Sequence, residues 1–169
     1  MTINSSEIKF LLDSKREITL TTAPGVFTPT TTTNLLIQAV QKSISGKNTL
    51  LDLGCGTGVV GLSLYTHGLV KPPLYASDLS ISAVQCSRKN FDRYGCQAEV
   101  LGGSLFEPWK GKKFDVIVDD ISGVAQDVAM VSPWFEGIPA ETGRGGTDLI
   151  VDILRNAPNH LVDGGRFFF

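Results

Sequence analysis

The sequence has few of the residues that mark disulfide-rich or metal-binding proteins. Its three cysteines, Cys55, Cys86 and Cys96, are odd in number and lack CxxC spacing, which argues against a disulfide framework and a zinc site. The two histidines, His67 and His160, are too far apart in sequence to suggest a metal cluster. We therefore predict no bound metal.

Long hydrophobic runs and a strong charge of one sign are also lacking. No apolar run approaches the roughly twenty residues that cross a bilayer, and residues 1–6 lack the features of a signal peptide. The sequence thus predicts no membrane partner and a cytoplasmic location. A net charge of −2 gives no support for broad nucleic-acid binding. Hydrophobic residues at 42% and charged residues at 19% predict one folded domain.

The most informative segment is residues 50–61, LLDLGCGTGVVG, where an apolar run carrying Asp52 ends in alternating glycines. This pattern is typical of a buried parallel strand that turns sharply into a helix beside a ligand. Gly56 to Gly61 also satisfies the dinucleotide fingerprint. Asp52 argues against that ligand, because a helix N-terminus facing a pyrophosphate favours no nearby anion. A carboxylate there suits a ligand with an ammonium and a sulfonium, such as S-adenosylmethionine.

Five other segments, one upstream and four downstream, occur in an order that resembles a known family. They are Gly25–Pro29, Leu74–Asp78, Gly103–Pro108, Lys113–Val118 and Gly145–Gly165. With them the chain resembles the class I S-adenosylmethionine-dependent methyltransferases, and most of all the small methyltransferases that include the release-factor glutamine methyltransferases. The resemblance implies an α/β, Rossmann-like three-layer sandwich with a mostly parallel sheet. It also implies methyl transfer from S-adenosylmethionine to an acceptor that the sequence does not name.

The resemblance implies a cofactor site at the ends of the strands. Asp78 would hold the ribose hydroxyls, and Ser104 would offer a hydroxyl to the adenine edge. Asp120 is the candidate catalytic residue, which orients an acceptor or takes its proton. The candidate cofactor-binding residues are Phe27, Asp52, Gly54, Cys55, Gly56, Gly58, Asp78, Leu79, Ser104, Leu105 and Asp119.

Several candidates also have an ordinary structural explanation. Asp52 could cap the turn, and Asp78 could belong to the cap of the next helix. Asp119 and Asp120, at the end of the fourth strand, could simply form a loop turn. Cys55 could be a reactive thiol or simply a small residue beside the cofactor. Phe27 could cover the cofactor or belong to the core. These alternatives stay open on the sequence alone.

The segment after the fourth strand departs from the resemblance. The glutamine and adenine methyltransferases have Asn-Pro-Pro and an aromatic residue there, whereas this chain has Asp120, Ile121, Ser122 and Gly123. The resemblance therefore does not extend to glutamine methylation. Further along the same loop, Trp134 or Phe135 could wall an acceptor pocket in which Arg144 meets an anionic group. Alternatively, the aromatic residues anchor the loop and Arg144 is solvated.

The chain divides into an N-terminal cap segment, residues 1–46, and a cofactor-binding domain, residues 47–169. Ile8, Leu11 and Leu12 predict a first helix over Ser6 to Arg16, and residues 18–22 are β-like. A second amphipathic helix is marked by Leu35, Leu36, Ala39, Val40 and Ile44. We then predict strands near 49–53, 73–77, 97–101, 114–119 and 165–169, and helices near 58–67, 80–94 and 147–160.

The last residues, Arg166 to Phe169, are expected to lie inside the fifth strand, without the last two strands of the family's sheet. Such an edge strand predicts a fragment or a homodimer formed through that edge. Two alternatives to methyl transfer remain at this stage. One is a non-catalytic scaffold that keeps the fold, and the other is an NAD-dependent oxidoreductase.

Overall fold

Two β-sheets and five α-helices make up the described part of the chain. The computed structural model describes residues 5–13, 16–121, 123–135 and 142–169. In chain order the elements are β1 (Ser6–Leu11), β2 (Glu17–Thr22), α1 (Thr31–Ser43), β3 (Leu50–Leu53), α2 (Val59–Thr66), β4 (Leu74–Asp78), α3 (Ile81–Arg93), β5 (Ala98–Gly102), β6 (Phe114–Asp119), α4 (Gln126–Val131), α5 (Asp148–Asn156) and β7 (Leu161–Phe168). Short 3-10 turns lie at Glu107–Trp109, Pro133–Phe135 and Ala157–His160.

The first element is a strand, so the helix predicted over Ser6 to Arg16 is wrong. β1 pairs antiparallel with β2 along its whole length. Ile8 and Phe10 pack against the core, whereas Leu11 is exposed. The apolar period is therefore two rather than 3.6, as a strand with one buried face requires. The β-like stretch at 18–22 and the second helix are confirmed as β2 and α1.

The second sheet is parallel throughout and has the strand order β5-β4-β3-β6-β7. This sheet confirms the predicted α/β fold, although the cap in front of it is a hairpin and one helix rather than helical throughout. The chain runs outward from β3 to β5 and then returns to place β6 on the other side of β3. Ligands bind such sheets at the carboxyl ends of the strands where the order reverses. The site is therefore expected beyond Leu53 and Asp119.

Apolar side chains cover both faces of this sheet, which gives the predicted three layers. On one face, α1, α2, α3 and the hairpin enclose a cluster that includes Leu50 and Val118. On the other face, Leu51 and Ile117 pack with Trp109 and the buried face of α5. Asp52 lies between Leu51 and Leu53 and thus points to the α2 side, because strand residues alternate between faces.

From β3 onward, the predicted strands and helices lie within one or two residues of the observed ones except near the end of the chain. β7 begins at Leu161, four residues before its predicted start. Its pairing with β6 shifts register between Phe114 and Val116. A Cβ at Gly165 would lie 3.1 Å from the carbonyl oxygen of Phe114, so a glycine allows this close approach. The predicted last helix ends at Asn156 and continues as a 3-10 turn.

β7 is an edge strand of the five-stranded sheet that the described residues form. The homodimer through this edge stays a prediction. In the described residues, none of the helices has the length and apolar character needed to cross a membrane.

Candidate active site

The loop between β3 and α2 contains three glycines in left-handed conformations. Gly54, Gly56 and Gly58 have φ values of 65°, 53° and 77°. A Cβ at Gly58 would lie 2.7 Å from Cζ of Phe91, so the packing of α3 against the loop excludes a side chain there. At Gly56 the nearest atom to such a Cβ is the carbonyl oxygen of Phe27, 3.9 Å away. The loop therefore packs tightly at Gly58, whereas a Cβ at Gly56 would make only an ordinary van der Waals contact.

Asp52 stabilises the start of α2 through a hydrogen bond. Its side chain is 1% exposed, and Oδ2 accepts the N–H of Gly61 at 2.9 Å. Gly61 lies in the first helical turn, where N–H groups have no intrahelical acceptor and a negative charge is favoured by the helix dipole. The structural role that the sequence left open for Asp52 is thus present. Asp52 also lines a cavity, described below.

Asp78, at the end of β4, joins the glycine loop to α3. One carboxylate oxygen accepts the N–H of Gly56 at 2.9 Å, and the other accepts the N–H of Ser80 at 2.8 Å. Ser80 is the N-cap of α3, and its hydroxyl accepts the N–H of Ala83. Asp78 therefore orients two loops at the same edge of the sheet, while Ser80 caps the helix.

Asn90 of α3 forms a hydrogen bond with the glycine loop. Its side chain is fully buried, and Nδ2 donates to the carbonyl oxygens of Thr57 at 2.9 Å and Thr21 at 3.0 Å. Its Oδ1 accepts the N–H of Thr21 at 2.7 Å. One amide thus joins β2 of the hairpin to the loop between β3 and α2.

Two acids follow one another at the end of β6. Asp119 is 3% exposed, and its Oδ1 accepts the N–H of Ile121 at 2.9 Å. Asp120 is less buried, and its Oδ2 accepts the hydroxyl of Thr33 at 2.6 Å. Asp119 therefore shapes the turn after β6, whereas Asp120 faces the open space beside it.

Two adjoining cavities lie at this edge of the sheet, with about 870 and about 330 Å³ of empty space, partly open to solvent. Four of the predicted residues, Phe27, Gly54, Gly56 and Asp120, line both cavities. The larger cavity is also lined by the predicted residues Asp78, Leu79, Ser104 and Leu105, and the smaller one by Asp52 and Cys55. The cavities are thus lined by ten of the twelve candidates.

Gly58 and Asp119 are the candidates that line neither cavity; the structure gives them packing and turn roles. Leu105 has a φ of 46°, which is uncommon for a residue with a branched side chain. Such backbone conformations persist where the surrounding structure holds them, often beside ligands. The Gly103 to Leu105 loop therefore presents a fixed surface to the cavity.

Several lining residues were missed by the sequence reasoning. Ile121 and Leu149 contribute apolar surface to the larger cavity, and Thr57 lines the smaller one. The hydroxyl of Thr57 is a buried side-chain oxygen for which the described residues supply no hydrogen-bond partner. Its position between two loop glycines was a usable signal. The sequence carries no comparable signal for Ile121 and Leu149.

One of the two aromatic residues predicted to wall an acceptor pocket lines a cavity in the structure. Phe135 lines the larger cavity, and its ring centroid lies 5.9 Å from that of Phe27. Arg144 is exposed and is not among the residues lining either cavity. The side chain of Trp134 lies outside the described part of the structure, as does Ser122.

Four carboxyl groups give this edge of the sheet a strongly acidic character. Burial raises the pKa of Asp52 well above its usual range, and the charges of Asp120, Asp78 and Asp119 add to the rise. Burial also raises the pKa of Asp119 to about 7. The pKa values of Asp78 and Asp120 rise for the same reason, against the hydrogen bonds that these carboxylates accept. Among the described residues lining the two cavities, none is Lys, Arg or His.

The remaining candidates for reactive or metal-binding groups have ordinary environments. Burial raises the pKa of the Cys55 thiol well above its usual value, with Asp52 adding to the rise, so Cys55 is a poor nucleophile at neutral pH. Among the described residues there is no group of three or more His, Cys, Asp or Glu side chains that could hold a metal ion. His67 ends α2 as its C-cap.

Comparison with known families places the chain beside small methyltransferase domains. A sequence model of the methyltransferase small domain matches residues 17–120. The chain is 31% identical over 132 residues to the ribosomal RNA small subunit methyltransferase C of Alcanivorax borkumensis, covering 78% of this chain and 34% of that protein. It is 30% identical over 152 residues to the protein of the same name from Salmonella newport, covering 88% and 39%.

Solved structures give the same architecture. A T. thermophilus 16S rRNA methyltransferase in complex with AdoMet and guanosine superposes with a TM-score of 0.70 at 22% identity, covering 97% of this chain and 40% of that one. A ribosomal protein L11 methylase from Lactobacillus delbrueckii subsp. bulgaricus gives a TM-score of 0.61 at 18% identity, covering 86% and 63%. These likenesses show the fold, which is the predicted Rossmann-like one. The chain spans between a third and two fifths of the length of the curated relatives described above.

Proposed function

This chain belongs to the methyltransferase small domain family, and we propose that it binds S-adenosylmethionine in the two cavities and transfers its methyl group. The single observation that supports this ligand most is the charge of the site. Two carboxylates, Asp78 and Asp120, line the larger cavity, Asp52 lines the smaller one, and no cationic side chain is among the described lining residues. A ligand with an ammonium and a sulfonium relieves that surplus of negative charge.

The same charge disfavours a nicotinamide dinucleotide. A pyrophosphate at the start of α2 would lie near Asp52 and Asp78, and both are already destabilised as anions by burial. Asp78 also occupies the Gly56 N–H, which a dinucleotide site offers to phosphate. The oxidoreductase alternative thus lacks the electropositive loop that it needs.

Each cavity holds a different part of the ligand. Asp78, next to Leu79 in the larger cavity, accepts the ribose hydroxyls with its remaining lone pairs, and Ser104 with Leu105 borders the adenine. The smaller cavity would hold the amino-acid end, where Asp120 would face the ammonium and a polar group would become available to the Thr57 hydroxyl. Phe27 borders both cavities and covers the boundary between them. The bound cofactor supplies an activated methyl carbon, so the chain contributes alignment and exclusion of water.

Calorimetric titration of the chain with S-adenosylmethionine and with NAD tests this proposal. We expect selective binding of S-adenosylmethionine that Asp78→Ala weakens about ten- to a hundredfold, as loss of hydrogen bonds to a charged group does. Asp92→Ala, on the exposed side of α3, is the matched control and leaves the affinity unchanged. Binding of NAD in preference would overturn the proposal.

Proton linkage gives an independent readout. A cationic ligand lowers the raised pKa values of the cleft, so binding near pH 7 releases protons, whereas an anionic ligand takes them up. Repeating the titration in buffers of different ionisation enthalpy measures the sign directly. Proton uptake on S-adenosylmethionine binding would contradict the acidic-cleft argument.

For the acceptor we propose an RNA nucleoside, supported by the names of the relatives and by the guanosine bound to the T. thermophilus protein. Asp120 replaces the asparagine of the Asn-Pro-Pro enzymes and lies beside Phe27 at the cavity wall. It orients the acceptor or takes its proton. Transfer of labelled methyl to small-subunit ribosomal RNA, lost in Asp120→Asn even at S-adenosylmethionine concentrations that saturate the variant, supports the assignment. Cofactor binding without transfer to RNA, protein or small-molecule acceptors would instead favour the scaffold alternative.

A further inference from the structure

The run of four threonines at 30–33 contains a buried side chain that reaches the cleft. Thr33 lies in the first turn of α1 and is fully buried. Its hydroxyl oxygen accepts the N–H of Thr30 at 3.1 Å and lies 2.6 Å from Oδ2 of Asp120, 87 residues away in sequence. Because the oxygen already accepts one hydrogen bond, its own proton is directed at the carboxylate.

We infer that Thr33 is a positioning residue, which holds the Asp120 carboxylate towards the cavities and keeps it ionised. The role of Asp120 towards cofactor and acceptor rests on the proposed function, but the contact itself does not. A hydroxyl that donates to a carboxylate stabilises the charged form over the protonated form. Thr33 thereby opposes the effect of burial on the pKa of Asp120.

The surroundings of Asp120 leave this task to Thr33. Among the described residues, the titratable groups at this edge are Asp52 on β3, Asp78 on β4, the neighbouring Asp119 on β6 and the Cys55 thiol, and none of them supplies a positive charge. The loop at 25–29 contributes no titratable group, and Asp127 on α4 is exposed. On α1 itself the nearest cation, Lys42, lies in the last turn, about 13 Å along the helix.

Carboxyl NMR of the ¹³C-aspartate-labelled chain tests this inference without any ligand. The Asp120 signal is assigned by its absence in Asp120→Asn. We expect Thr33→Val to raise the pKa of Asp120 by about one unit, the size of one hydrogen bond to a charged group. Thr33→Ser keeps the hydroxyl and restores the wild-type value. Thr31→Val makes the same atomic change at an exposed position of the same turn and leaves the value unchanged.

The affinity for S-adenosylmethionine gives the second readout. A raised pKa makes Thr33→Val about tenfold weaker than wild type at pH values below the pKa of Asp120 and equal to it well above. A purely structural role would lower affinity by the same factor at every pH. If Thr33→Val does not fold, Thr33→Ala also removes the hydroxyl and is a better helix former.

An unchanged Asp120 titration in folded Thr33→Val or Thr33→Ala overturns the inference. A wild-type chain that binds no S-adenosylmethionine at any pH overturns the proposed function, while the NMR titration still decides the role of Thr33. The two failures are therefore distinguishable.

Discussion

Replacing Asp119 with asparagine removes a buried charge without changing the shape of the side chain. The variant Asp119→Asn keeps an oxygen that accepts the Ile121 N–H, so the turn after β6 is retained. Burial raises the pKa of Asp119 from 3.8 to about 7 in the folded chain. The folded state therefore holds this proton to higher pH than the unfolded state does. The protonated Asp119 carboxyl therefore stabilises the folded state at low pH, and this stabilisation is lost as the pH rises from about 4 through 7.

The size of this effect follows from the two pKa values. Between pH 5 and pH 8, a shift from 3.8 to about 7 lowers the free energy of unfolding by about 2 to 3 kcal/mol. In a chain of this length that corresponds to about 5 to 10 °C in melting temperature. The cost of burying the asparagine amide is the same at both pH values, so it cancels from the comparison.

Urea unfolding at pH 5 and pH 8 measures the difference. We expect the stability of Asp119→Asn relative to wild type to increase by about 2 to 3 kcal/mol from pH 5 to pH 8. Asp92→Asn, an exposed acid on α3, is the control and shows no such increase. A gap between Asp119→Asn and wild type that is the same at both pH values would refute the argument that a buried, proton-binding carboxyl lies at the end of β6.

Two further changes test the packing behind the site. Gly58→Ala lowers the free energy of unfolding by about 2 to 4 kcal/mol, because the residue has a left-handed φ and its Cβ would meet Phe91. Gly46 has a similar φ in open space, so Gly46→Ala lowers the free energy of unfolding by only about 1 kcal/mol in the same urea experiment. Trp109→Phe removes the hydrogen bond from Nε1 to the hydroxyl of Ser77 at 2.9 Å, and thermal unfolding should show a loss of about 1 to 3 kcal/mol.

The parallel sheet was predictable because its central strands are short apolar runs that end in glycine or acid. The run ending at Asp52 to Gly58 fixed β3, the loop and α2 together, since only a buried strand followed by a tight turn suits that pattern. The position of Asp78 after the next strand was predictable for the same reason. Local sequence thus identified the residues at the carboxyl ends of these strands.

Features that depend on distant pairing were not predictable. The segment from Ser6 to Leu11 satisfies a helical spacing through Ile8 and Leu11, yet its alternation with Phe10 matches a strand once β2 is beside it. Tertiary pairing decides between the two periods. The contact between Thr33 and Asp120 likewise joins segments 87 residues apart, and nothing near either residue indicates it.

The buried amide of Asn90 has a consequence for how motion spreads through the chain. Because it bonds β2 at Thr21 and the glycine loop at Thr57, the hairpin cannot open without releasing the loop as well. Opening of the two segments is therefore one cooperative event, visible as matched rates of amide hydrogen exchange. A molecule that orders the loop accordingly slows exchange in the hairpin, although the two strands of the hairpin line neither cavity.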